Sequence, residues 1–156
     1  LVAFIFTFLA HLQPIYAVVP IPAALDPKSK LHGWRALGER FKEIARSMDP
    51  GKEIFLLTPR HQLVAEGMFY TQGRIPVYQW DAPHRIQNLS PVNTPPAGSQ
   101  AIFFSEGGNE LPRGLEPLFD SCEKLEPQVV RRNSSTVRTH PIWKCMGFKG
   151  LHGNSP

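Results

Sequence analysis

A chain of 156 residues and 17.5 kDa has room for one domain with a real core, and excludes a second unless that second part is only an anchor. Apolar residues at 42% against 19% charged exclude wholesale disorder. The net charge of +4 would suit an anionic partner such as a lipid headgroup, a lipid-linked phosphate or nucleic acid, but Lys and Arg are spread along the chain and form no nucleic-acid patch.

The first segment, LVAFIFTFLA, is apolar apart from Thr7, and the run continues through Leu12, Ile15, Tyr16 and Val19 with interruptions at His11, Gln13 and Pro14. A membrane-spanning helix needs roughly 20 mostly apolar residues, so residues 1–19 are expected to be the end of a transmembrane helix whose earlier part precedes Leu1. A secretory signal peptide is the main alternative, although no basic stretch precedes the apolar run and Ile15 is a poor residue three before a cleavage site. A buried core helix is a third reading. Three prolines between Val19 and Pro27 end the helix and predict an extended linker over residues 20–27.

The expected soluble domain covers residues 28–150, with 151–156 as a frayed tail. Asp26 and Pro27 match an N-cap with proline in the first helical turn, and Leu31, Trp34, Leu37, Phe41, Ile44 and Met48 recur at steps of three and four. They predict an amphipathic helix with Trp34, Phe41 and Met48 in the core. Asp49-Pro50-Gly51 stops it, and Ile54 to Leu57 reads as a central strand covered on both faces. Thr58-Pro59 repeats the cap-plus-proline signature before a second helix over Arg60 to Tyr70, ended by Gln72-Gly73. Val77 to Trp80 follows as a strand, making residues 53–80 a βαβ unit with parallel pairing.

The proline-rich stretch from Asp81 to Ser99 lacks periodicity and reads as a long surface loop. Ala101 to Phe104 gives a third apolar strand running into Ser105-Glu106-Gly107-Gly108, with a short helix near Leu115 to Phe119. Gln128 to Arg132 and Val137 to Met146 flank Asn133-Ser134-Ser135 as a closing antiparallel hairpin. The expected class is therefore α/β: a small, mostly parallel sheet flanked by helices with a C-terminal antiparallel hairpin, preceded by a transmembrane helix remnant.

Two cysteines, Cys122 and Cys145, exclude a disulfide framework and a cysteine-rich zinc site. Two buried thiols are the preferred reading and a single bridge the alternative. His11, His32, His61, His84, His140 and His152 do not fall at metal-ligand spacings, so no metal and no cofactor are expected. Glu123 and Glu126 form no catalytic pair and read as a solvated strand entry, and Asn133-Ser134-Ser135, formally a glycosylation sequon, reads as turn chemistry. The chain carries no dinucleotide fingerprint, phosphate loop, zinc-protease motif or nucleophile elbow.

The candidate site is the junction after the first strand. Thr58, Arg60, His61 and Gln62 lie there at a helix N-terminus, whose free N–H groups attract anions. Ligands of open parallel sheets bind beyond the strand C-termini, where Ser105 to Gly108 also emerge. Arg60, His61, Gln62, Gly107 and Gly108 are accordingly the candidate substrate-binding residues, and no catalytic residue is assigned.

Taken in order, Asp26-Pro27, the run from Leu31 through His32, Gly33, Trp34, Arg35, Ala36 and Leu37 to Gly38, the run from Arg60 to Glu66, and Phe69-Tyr70 resemble the C-terminal soluble domain of bacterial polyprenyl-phosphate-sugar glycosyltransferases. These are the integral-membrane enzymes related to protein mannosyltransferases and the lipid A aminoarabinose transferase. Val129 to Arg132, Val137 to Thr139 and Cys145 to Gly150 extend the likeness, which covers residues 26–150. The family pattern of an Arg-rich segment followed by Gln-Tyr-Asp is reduced here to Arg85-Ile86-Gln87-Asn88-Leu89.

The resemblance implies transfer of a sugar from a polyprenyl-phosphate donor to a lipid or glycan acceptor, with membrane lipid and a lipid-linked sugar phosphate as partners. It places the activating carboxylate in an extracytoplasmic loop near the start of the parent protein, so these residues form a fragment expected to be inactive alone. Lys28, Lys30, Arg35, Arg40 and Lys42 would favour a cytoplasmic side, a tendency that weakens before a long domain. The family instead implies a periplasmic domain at the bacterial inner membrane, and this is the expectation adopted. The alternative from another class is a tethered or secreted non-enzymatic module that binds an anionic lipid or glycan.

Overall fold

The computed structural model describes residues 2–16, 32–81, 85–87, 94–132 and 135–150. The expected linker over 20–27, the Asp26-Pro27 cap, Leu31, the Asn133-Ser134 turn and the tail from 151 lie outside these residues.

The apolar opening forms helix α1, Val2–Tyr16. At about 1.5 Å per residue its 15 residues span ~22 Å, and no helix among the described residues is long and apolar enough to cross a membrane. Thr7 and His11 bond back to the helix's own backbone: Thr7 Oγ1 donates to the Ala3 carbonyl at 2.9 Å, and His11 Nδ1–H to the Thr7 carbonyl at 2.8 Å. Val2, Phe4, Ile5, Phe6 and Phe8 are exposed.

The rest is a six-stranded sheet with helices α2 (Trp34–Arg46) and α3 (His61–Thr71) on one face. In chain order the strands are β1 (Ile54–Thr58), β2 (Val77–Asp81), β3 (Arg85–Gln87), β4 (Gln100–Phe104), β5 (Ser121–Arg132) and β6 (Ser135–Met146), and in space they run β3-β2-β1-β4-β6-β5. Only β2, β1 and β4 are mutually parallel. β3 joins β2 antiparallel at one edge, and the long β5–β6 hairpin joins β4 antiparallel at the other. The sheet is thus mixed rather than mostly parallel. α3 supplies the crossover that the parallel β1–β2 pair needs, whereas β2 and β3, and likewise β5 and β6, are too close in the chain for anything but antiparallel pairing.

Alternation along each strand divides the core in two. Leu56, Val77, Ile102, Phe104 and Ile142 face α2 and α3, where Trp34, Leu37, Phe41, Ile44 and Met48 form the helical stripe. Burying these five large side chains contributes on the order of 10 kcal/mol before chain entropy is subtracted. Phe55, Leu57, Tyr78, Phe103, Trp143 and Cys145 face the other way, covered by Leu115, Phe119 and Phe148 from the segments after β4 and β6. A 3₁₀ turn, Glu116–Leu118, anchors that cover in place of the expected short helix.

Helix boundaries departed from expectation for identifiable reasons. The N-cap of α2 is Gly33, at φ 87°, because the chain turns sharply there against β5 and a Cβ would collide with the Val130 side chain. Gly38 lets α2 and α3 close up, since a Cβ at that position would sit 2.6 Å from Tyr70 Cβ. Thr58 does not cap α3. It is the buried last residue of β1, and Arg60, in extended conformation, is the N-cap without a side-chain capping bond.

Two further expectations are corrected. The stretch from Asp81 is not all loop, because β2 extends to Asp81 and β3 follows. The cysteines are not two thiols: Cys122 and Cys145 are disulfide-bonded. They face each other across β5 and β6 with Cα atoms 4.1 Å apart. The closing hairpin is longer than its sequence pattern indicated, since β5 starts at Ser121 and carries Glu123 and Glu126 on its exposed side.

Candidate functional site

β1 leads through α3 to β2 on one side, while β4 lies on its other side and leads away toward β6. The carboxyl ends of β1 and β4 therefore flank the switch point at which an open α/β sheet leaves a crevice. Such a crevice is present, with a volume of about 250 Å³, lined by Trp34, Arg60, Gln62, Leu63, Glu66, Glu106 and Arg138. It draws on the first turn of α2, the start of α3, the exit of β4 and the middle of β6.

Arg138 organises the lining. Its side chain is almost wholly buried, its guanidinium carbon lies 4.6 Å from the centroid of the Trp34 ring, and Nη2–H donates to the His32 carbonyl at 3.2 Å. The Glu106 carboxylate approaches Nη1 at 3.8 Å. A guanidinium on an indole face contributes roughly 0.5–2 kcal/mol, toward the upper end where water is excluded. Lys would reach the same place without the planar stacking.

His140 stands behind this lining, two residues along β6 on the same face. It is fully buried, its ring centroid is 5.2 Å from that of Trp34, and Nδ1 lies 3.0 Å from the Ser105 carbonyl oxygen. A carbonyl only accepts, so Nδ1 carries the proton of the neutral ring. Nε2 is buried without a hydrogen-bond partner among the described residues, as is Thr58 Oγ1 at the end of β1. Burial pushes the His140 pKa below its ordinary value, the Ser105 carbonyl opposes that shift, and the Arg138 charge adds to it. Burial raises the Glu66 carboxyl above the usual carboxylate range, against the pull of Arg138.

Of the sequence-derived candidates, the crevice brings together Arg60 and Gln62. His61 is exposed on α3 and is not in the lining, and Gly107 and Gly108 are exposed beyond it. Both glycines have positive φ, 70° and 72°, so their service is to turn the chain after Glu106. Sequence reading assigned no site role to Trp34, Glu66 or Arg138. The usable signal was the alternation Arg138, His140, Ile142, which puts a charge and an imidazole on a core-facing strand surface.

Chemically, the crevice offers the exposed Arg60 guanidinium and Gln62 amide and the Glu66 and Glu106 carboxylates, backed by the buried stack of Arg138 on Trp34. That set can hold a polar ligand with an anionic group and hydroxyls. No nucleophile–base pair is formed in it. A second, larger groove of about 520 Å³ between α2 and β5 is more open, and its charges are balanced: Arg40 pairs with Glu43 at 3.3 Å, and Glu126 and Arg131 complete the wall. No group of three or more potential metal-ligating side chains occurs among the described residues. No protein-family model, curated protein or solved structure matches the chain.

Proposed function

We propose that this chain is a membrane-tethered extracytoplasmic domain of a polyprenyl-phosphate-sugar glycosyltransferase, and that its crevice receives the polar headgroup of the lipid-linked sugar phosphate. The observation carrying this reading is the pairing of Arg60 and Arg138 with the Trp34 face in one crevice at the sheet switch point. Guanidinium forks suit phosphate oxygens. Carboxylates and the Gln62 amide suit the hydroxyls of a sugar ring.

Two other features support the compartment and the tether. The Cys122–Cys145 bridge fits an oxidising compartment such as the periplasm. Helix α1 presents Phe4, Phe6 and Phe8 outward while Thr7 and His11 bond internally, which suits an apolar surrounding. In this reading the chain binds and positions donor, while the activating carboxylate belongs to the membrane part of the enzyme.

The test is titration of the purified chain with a short-chain polyprenyl-phosphate sugar and with the sugar-free polyprenyl phosphate. Arg60 is an exposed N-cap whose replacement leaves the core intact. Arg60→Ala should weaken both ligands about tenfold, the loss of one charge-assisted bond of roughly 1.5 kcal/mol. Equal affinity in wild type and variant would overturn the crevice assignment. The lack of a nucleophile–base pair favours one second reading, a non-enzymatic module. Under it, binding would persist but addition of the chain would not restore transfer by a membrane part lacking it.

A further inference from the structure

The outward face of α3 is unusual for a helix that packs against a sheet. His61, Ala65, Met68, Phe69 and Gln72 fall on one solvent-facing stripe, with Phe69 73% and Met68 37% exposed. Phe69 also meets the Tyr70 ring edge-on at 5.0 Å, which enlarges the apolar surface. Arginines bracket the stripe: Arg60 caps its start and Arg74 follows its end, both exposed.

The neighbouring helix adds charge of the same sign. α2 exposes Arg35 and Arg46, while its two carboxylates are engaged, Glu39 by Lys42 at 2.8 Å and Glu43 by Arg40 at 3.3 Å. None of Arg35, Arg46, Arg60 or Arg74 makes a salt bridge among the described residues. An apolar centre between arginines that can extend their heads outward is the pattern of a helix lying in a bilayer interface.

From this we infer that the outer face of α3 is a membrane-contact face, with Phe69 and Met68 entering the headgroup–acyl boundary of an anionic bilayer and Arg35, Arg46, Arg60 and Arg74 at the level of the phosphates. The inference rests on the proposed tethering by α1. Seventeen residues separate Tyr16 from Trp34, so even a fully extended chain keeps the domain within about 60 Å of the tether. Contact through this face turns the Arg60 end of the crevice toward the surface from which a lipid-linked substrate would rise.

The test uses the full chain, in which both native cysteines are bridged, so an engineered cysteine is the only free thiol. Phe69→Cys, Met68→Cys and Glu116→Cys are each labelled with an environment-sensitive fluorophore. Glu116 serves as the reference because its turn covers the opposite face of the sheet. With vesicles containing phosphatidylglycerol, the labels at 68 and 69 should shift to the blue and brighten at least about twofold, while the label at 116 stays aqueous. Arg46→Glu combined with Arg74→Glu should reduce the change.

Co-flotation separates the two levels of the idea. A chain that floats with vesicles while labels at 68, 69 and 116 respond alike keeps its tether and overturns the contact face. A chain that does not float overturns both. A response equal in phosphatidylcholine vesicles refutes the anionic surface, and one that appears without vesicles as protein concentration rises assigns the face to a second copy instead.

Discussion

Removing the Cys122–Cys145 bridge gives the most quantitative test of this fold. The bridge closes a loop with a sequence separation of 23, and loop-closure entropy for that length corresponds to about 3.4 kcal/mol at 25 °C. Domains of this kind are stable by only about 5–15 kcal/mol, so the bridge is a large share of the total. With a urea slope of roughly 1.5 kcal/mol per molar, the unfolding midpoint should fall by about 2 M on reduction. The double variant Cys122→Ala, Cys145→Ala should fall at least as far, because Cys145 is fully buried against the cluster containing Phe119, Phe148 and Trp143 and its truncation leaves a gap. The assay is urea unfolding followed by tryptophan fluorescence with and without a phosphine reductant, beside thiol counting under denaturing conditions. Two reactive thiols in unreduced protein purified from an oxidising compartment, or coincident unfolding curves, would refute the reasoning.

Three further outcomes follow from individual residues. Gly38→Ala should gain about 1 kcal/mol from helix propensity alone, but its Cβ would press on Tyr70, 2.6 Å from that side chain and 3.0 Å from its carbonyl oxygen. A net loss of about 1–2 kcal/mol in urea unfolding is therefore expected. Gln72 ends α3 with φ 58°, so Gln72→Gly should stabilise by up to about 1 kcal/mol, read as a melting temperature raised by a few degrees. For His140 the folded pKa is lowered, so the unfolded chain binds more protons. Its contribution is complete above the ordinary pKa of about 6.5 and is lost as pH falls from there through the folded value. Glu66, whose pKa is raised, acts in the opposite sense and offsets part of that loss. His140→Gln keeps a donor for the Ser105 carbonyl but cannot charge, and should flatten the fall in unfolding midpoint between pH 7 and pH 5.

Much of the fold was legible because its central elements obey one rule each. Ile54 to Leu57 and Ala101 to Phe104 are short apolar runs between chain breakers, and both became central strands. The stripe Trp34, Leu37, Phe41, Ile44, Met48 became the buried side of α2 and the turn after it. Local signals failed where tertiary contacts decide. Asp26-Pro27 could not announce that α2 is capped at Gly33, a choice made by the close approach of Val130. Ser121 to Glu126 alternate weakly, so β5 was missed where its pairing with β6 rather than its own composition makes it a strand. The cysteines did carry a readable signal: Cys122 lies ten positions before Arg132 and Cys145 ten after Ser135, so a symmetric hairpin sets them opposite each other. One extra residue beside Arg131 on β6 and one on β5 between Leu125 and Gln128 shift the register in opposite senses, and the offset cancels before the bridge.

The same hairpin register places the residues that back the crevice. Between the two bulges the register is displaced by one, so Val130 stands opposite Arg138 and Gln128 opposite His140. Val130 there packs on Gly33 and fixes where α2 begins, which sets Trp34 against Arg138 and His140. A one-residue slip moves a side chain to the other face of a sheet. Without the displacement the residue opposite Arg138 would be Val129, which would then share its face and take the place of Val130. The candidate site is therefore specified not only by Arg60 and the start of α3, which sequence pointed to, but also by the contacts of the closing hairpin with Gly33 and Trp34, which it did not.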